Sequence, residues 1–154
     1  MARPDGKAKP YEQLFDLGHG LKLVRIKLDA LREQDLNARV LSTEAFDQLT
    51  YNVKKDKRLE SLPFVATTDR GVEIVSGHHR LRAFRRAGFK TVEALLDDTG
   101  LSREEIIAKQ LAHNSIQGSD NPELLARLFD QIKDAELRLM SFVDPSILDQ
   151  HLEP

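Results

Sequence analysis

Residues 73–88 read EIVSGHHRLRAFRRAG, and no other stretch restricts the fold as strongly. A β-branched run ends at Ser76-Gly77, and helical spacing begins at once. Leu81, Phe84 and Ala87 or Gly88 lie along one helical stripe, with Arg82, Arg85 and Arg86 on other faces. A chain that passes from strand to helix through one glycine belongs to folds that mix the two elements. Gly77 permits a tight bend or a close backbone approach. Gly88 is placed to cap the helix, with Phe89 packing back on the preceding turn.

The flanking patterns supply the other elements. Residues 1–20 contain Pro4, Gly6, Pro10, Gly18 and Gly20, and read as an arm, flexible or docked through Tyr11, Leu14 and Phe15. Ordered structure is expected near Leu21, where LKLVRIKL predicts a strand in which Val24 shifts the alternation. After the polar DALREQDLNARV segment, Ser42 or Thr43 caps a helix over 44–52, followed by a basic linker, KKDKR, at 54–58. Residues 62–67 and 72–75 predict a hairpin around Thr68-Asp69-Arg70-Gly71, with Pro63 near its first strand's start. Thr91–Leu96 predicts another strand. Ser102 and Glu105 form a capping-box pattern that opens a helix to about residue 114. Asn121-Pro122 opens a further helix with Leu124, Leu125, Leu128, Phe129 and Ile132 on its apolar side. The Leu137–Leu152 region reads as partly helical and broken by Pro145, with apolar residues suited to docking, dimerisation or continuation into another element. The resulting division is an arm at 1–20, an α+β domain at 21–118 and a helical extension at 119–154.

Charge narrows the classes of function. The 154 residues carry 23 Lys and Arg against 25 Asp and Glu, a net charge of -2. Residues 1–92 hold 18 basic and 12 acidic residues, whereas residues 93–154 hold 5 and 13, so balances of +6 and -8 meet in one chain. A wholly basic nucleic-acid binder and an acidic disordered chain are both excluded. The absence of Cys removes disulfides, thiolate metal sites and cysteine-based catalysis. No apolar run suits export or membrane spanning, so a cytoplasmic protein with no membrane association is expected.

The same glycine turn is the leading site candidate. Residues 77–90 contain five Lys and Arg and no acidic residue. Unpaired N–H groups at the helix start make an anion site, which His78, His79 and Arg80 can reinforce. The alternative is a solvated basic face on an ordinary amphipathic helix. Neither a Walker loop nor a dinucleotide-binding glycine fingerprint is present. A three-histidine metal site with His113 lacks the spacing of a metal-binding helix motif. The polar HNSIQGSDN stretch at 113–121 suits turn and capping chemistry, or a His113 or Gln117 that orients water or touches a nucleotide. Asp97 and Asp98 are candidates for metal or acid–base work, with strand-end solvation as the alternative. No Ser/His/Asp ordering points to acyl transfer.

The segment VSGHHRLRAFRRAG resembles the glycine–glutamate–arginine–arginine box of ParB amino-terminal domains, in the ParB/sulfiredoxin superfamily. Gly77 matches the glycine, His78 the glutamate, His79 and Arg80 the arginines, and Arg82-Ala83 the arginine–alanine that follows. Asn37-Ala38-Arg39 resembles the earlier asparagine/proline–arginine segment, and His113-Asn114-Ser115-Ile116-Gln117 a later glutamate–asparagine–x–x–glutamine stretch. The resemblance spans about residues 21–132. It implies a compact α+β domain with a small mixed sheet flanked by helices, and a site for nucleotide, CTP or ATP with Mg2+, in a DNA-associated process. On that template Gly77, His78, His79 and Arg80 meet phosphates, with Asn114, Gln117 and Arg39 beside the same cleft.

His78 and His113 stand where the family has acidic residues, which counts against magnesium-dependent CTP hydrolysis. If a weak triphosphatase operates, these imidazoles are the candidates for its general base. The lack of Cys separates the chain from sulfiredoxin chemistry. Other readings are direct DNA-backbone binding by Lys54, Lys55, Lys57, Arg58, Arg82, Arg85 and Arg86, a metal-dependent nuclease, and an inactive interaction domain that forms a homodimer through its C-terminal helices.

Overall fold

The computed structural model describes residues 9–34, 42–117, 122–134 and 137. Its elements, in chain order, begin with β1 (Tyr11–Gly18), β2 (Leu21–Lys27), a 3-10 turn (Leu28–Ala30) and β3 (Leu31–Arg32). They continue with α1 (Thr43–Asp56), β4 (Phe64–Thr68), β5 (Gly71–Ser76), α2 (His78–Arg86), β6 (Thr91–Asp97), α3 (Arg103–Gln117) and α4 (Pro122–Asp130). The strands form one mixed sheet in the order β1-β2-β6-β4-β5-β3. β4 runs parallel to β6 and β3 parallel to β5, while the other pairs are antiparallel. This is the expected α+β architecture.

Alternation along the strands divides the core between the two faces of the sheet. Val24, Ile26, Val65, Val72, Ile74, Val92, Ala94 and Leu96 pack with Val53 of α1 and with Leu81, Ala83 and Phe84 of α2. Ala66 and Val75 face the other way, towards Ile106, Ile107 and Leu111 of α3, Leu128 of α4, and Ile132. Val24 therefore does not disturb the pattern of β2. It belongs with Ile26 on the α1/α2 face, while Leu21 and Leu23 lie half-buried on the opposite face.

Several boundaries differ from the sequence reading. Residues 11–18, expected as an arm, form an edge strand that pairs with β2 along its length, with two register shifts. The connecting turn has Gly18, His19 and Gly20 all at positive φ, which accounts for the two glycines. Of the expected docking residues, Tyr11 packs against the core, but Phe15 is 61% exposed. The strand is held chiefly by its backbone ladder, with Tyr11 as its contact to the core. Helix α1 runs past residue 52 and takes in Lys54 and Lys55 of the expected linker. Ser42 is its cap, accepting from Ala45 N–H, and its end is the left-handed Lys57.

The capping box of α3 is formed. Ser102 Oγ accepts from Glu105 N–H at 3.2 Å, and Glu105 Oε1 accepts from Ser102 N–H at 3.1 Å. At the end of α2, Phe89 N–H reaches Phe84 carbonyl and Gly88 N–H reaches Arg85 carbonyl, with Gly88 at φ 96°. The rings of Phe84 and Phe89 stack at 4.1 Å. Arg39, Asn121 and the region expected at 138–152 lie outside the described residues.

Candidate functional site at the start of helix α2

Gly77 joins β5 to α2 at φ 100° and ψ 24°, a left-handed conformation. A Cβ there would lie 2.9 Å from Arg80 Nη2 and 3.0 Å from Pro63 Cβ. Backbone angle and space both select glycine, because the guanidinium of Arg80 folds back over the turn. Gly77, the cap residue, brings no side chain to this helix start, and its first turn has no acidic residue. Helix-start N–H groups and a guanidinium therefore lie close together, which is donor chemistry suited to a phosphate.

The histidines divide by environment. His78 is 4% exposed, and its Nε2 accepts from Gln34 N–H at 3.3 Å. Burial pushes its pKa down to about 4, Glu33 opposes the shift, and Arg82 and His79 add to it. At neutral pH the ring is uncharged, carries its proton on Nδ1, and commits Nε2 to the backbone. His79 is half-buried on the same turn. His113 is half-buried on α3 and stacks on Phe64 at 5.1 Å. Burial first, then the positive charges of Lys109 and Arg80, hold its pKa below the usual imidazole value. The structure thus groups Gly77, Arg80, His113, Pro63 and Phe64 around one turn. Asn114 and Gln117 follow His113 on the last turns of α3.

The other arginines of α2 tie the helix down. Arg82 pairs in bidentate fashion with Glu33, at 2.6 and 3.0 Å. Arg85 donates to Leu28 carbonyl at 2.6 Å. Arg86 donates to Asp47 at 2.9 Å and lies over the Phe46 ring. These three, expected as DNA-backbone candidates, anchor α2 to α1 and to the 28–33 segment. Lys54, Lys55, Lys57 and Arg58 are exposed at the end of α1, with Arg58 3.7 Å from Glu60.

A buried polar chain beneath the turn escaped the sequence reading. Arg70 donates to Glu73 Oε1 at 2.5 Å, Gln34 Nε2 donates to the same oxygen at 3.2 Å, and Arg103 donates to Gln34 Oε1 at 2.5 Å. The available signal was Glu73 itself, a lone charge inside the apolar run VEIV.

The donor set fits a phosphate better than a magnesium ion. Glu33 is held by Arg82, and Glu73 by Arg70 and Gln34. Among the described residues, no three His, Cys, Asp or Glu side chains gather as a metal site requires. Two depressions of 310 Å³ each lie away from the turn and share Lys27 and Thr91. Among the described residues, no helix is long and apolar enough to cross a membrane.

A mixed six-stranded sheet with a glycine-opened, arginine-bearing helix start defines a class of α+β domain suited to anion recognition. The chain belongs to the ParB N-terminal domain family, whose model matches residues 15–115. No curated protein matches it in sequence. Among solved structures, it is similar to C-terminally truncated chromosome-partitioning protein ParB from Caulobacter crescentus complexed with CTP-gamma-S. The TM-score is 0.52 at 17% identity, covering 80% of this chain and 73% of that one. The same protein complexed to the centromeric parS site matches with TM-score 0.52 at 17% identity, covering 81% and 67%. A Pnob8-like ParB-N domain also matches, with TM-score 0.52 at 18% identity, covering 73% of this chain and 45% of that one. At these identities the likeness is one of fold.

Proposed function

We propose that this domain binds a nucleoside triphosphate, CTP in the first instance, through phosphates seated on the start of α2. The observation that carries the reading is the left-handed Gly77 turn, with Arg80 folded over it and no acidic residue in the first turn. The fold likeness to a ParB complexed with CTP-gamma-S supports CTP as the nucleotide. In this reading the N–H groups of α2 and Arg80 hold phosphate oxygens, His79 adds a hydrogen bond, and Asn114, Gln117 and Arg39 supply the rest of the cleft. The site is one for binding. His78 is buried with Nε2 occupied by the Gln34 N–H, which leaves that nitrogen unavailable to take a proton from water.

Titration calorimetry with CTP, ATP and GTP, with and without Mg2+, tests this reading. Saturable binding of CTP is expected, weakened at least about tenfold in Arg80→Ala, the scale for losing a charge-assisted hydrogen bond. An Arg80→Ala protein indistinguishable from the parent would sink the proposal.

A DNA-associated setting is supported by the exposed Lys54, Lys55, Lys57 and Arg58 and by the fold likeness to a parS complex. With three of the α2 arginines engaged within the domain, a phosphate backbone would meet the end of α1.

A further inference from the structure

The buried polar chain beneath the turn is unused by the proposed site, yet it ends on it. Glu73 is 2% exposed and Gln34 6%. Burial pushes the Glu73 carboxyl up, but hydrogen bonds from Arg70 and Thr68 and the charges of Arg70 and Arg103 outweigh it. Its pKa falls below the usual carboxylate value, so it stays ionised at neutral pH. Buried charge of this kind is costly unless every partner is in place. Position 34 must offer a donor to a carboxylate and an acceptor to a guanidinium at once, and a primary amide provides both. The backbone N–H of the same residue is the donor to His78 Nε2. Gln34 therefore touches β5 through Glu73, α3 through Arg103, and the first residue of α2 through His78.

We propose that Gln34 is the positioning residue of the α2 turn: its side chain, clamped between Glu73 and Arg103, fixes the N–H that holds His78. The start of the helix is then set before any ligand arrives. Binding sites keep their geometry when the groups that contact ligand are themselves locked by neighbours. Here the locked group is the ring of His78, one residue from Gly77 and two from Arg80. The consequence for phosphate binding rests on the nucleotide reading above, but the positioning role does not.

The test uses the full chain, with nitrogen-15 spectra of the His78 imidazole and amide hydrogen exchange. Gln34→Met keeps the volume and removes the amide. It is expected to shift the Nε2 resonance and to speed exchange at residues 78–81 by roughly tenfold, the scale for removing an outer partner of a binding group. Leu128→Ala, a core variant on the sheet face opposite α2, should lower stability without shifting that resonance. Arg103→Met removes the guanidinium on Gln34 Oε1 while leaving Glu73 in place, and should shift the same resonance in the same sense as Gln34→Met. An unchanged resonance in Gln34→Met or in Arg103→Met, or the same α2 changes in Leu128→Ala, would each overturn the proposal. If the parent binds CTP, Gln34→Met should weaken it by about tenfold, and unaltered affinity in that case removes the link to binding. A parent that binds no nucleotide removes the functional reading, while the spectra still decide whether Gln34 positions the turn.

Discussion

His78 shows how far a residue's surroundings set its chemistry. By residue type, an imidazole beside a glycine turn and a cluster of arginines is a natural candidate for acid–base work. Burial against the sheet and the Gln34 N–H make it a neutral acceptor. That has a measurable consequence. With a folded pKa of about 4 against 6.5, His78 contributes stability that is present above the unfolded value and is lost as pH falls from 6.5 towards 4. The loss is on the order of 3 kcal/mol when complete. Glu33 faces the ring with the opposite influence, while Arg82 and His79 act in the same sense as burial. Urea unfolding between pH 7 and 4.5 should show the midpoint falling with pH, and His78→Gln should flatten most of that slope. A smaller slope should remain from His113, also depressed. The depressed carboxyls of Glu33 and Glu73 add their own losses only near and below the ordinary carboxylate value of 4.5. A parent with no slope between pH 6.5 and 5 would contradict the buried neutral state.

At the scale of elements, local signals worked where the chain neighbours do the work. The Ser102–Glu105 box, the Gly88 cap and the β5–α2 junction depend on contacts within a few residues, so residue type and spacing reveal them. Ser102→Ala is expected to cost about 1 kcal/mol, removing the acceptor for Glu105 N–H. A melting temperature lower by about 2–4 °C would register it, whereas no change would mean that the box contributes nothing to α3. Signals failed where a distant segment decides. β3 is two residues long and exists because β5 offers it a parallel edge. The 54–55 stretch is helical because α1 continues over the core beyond its apolar positions. By residue type, the arginines of α2 are candidates for a solvated basic face or for a DNA backbone. Glu33, Asp47 and Leu28 carbonyl, brought from far along the chain, turn three of them into internal tethers.

For the whole molecule, the largest revision is the edge of the sheet. Treating residues 1–20 as an arm leaves β2 as an edge strand, but β1 covers it over its length. A chain beginning at Leu21 should therefore melt lower and scatter more light, because a seven-residue strand carrying Val24 and Ile26 would present an open ladder. Equal melting and scattering for that chain and the parent would show that β1 is dispensable.

The sequence by itself determined the class of fold, the strand–glycine–helix junction and the residues that make a phosphate site chemically reasonable. These are local properties: a glycine's freedom at positive φ, a helix start lacking acidic residues, and the alternation of strands. Only the tertiary structure decided which charges remain available and which are consumed. Ion pairs such as Arg82 with Glu33, and buried chains such as Arg70–Glu73–Gln34–Arg103, join residues far apart in sequence. Their energies depend on burial and distance, and neither quantity exists until the sheet is assembled.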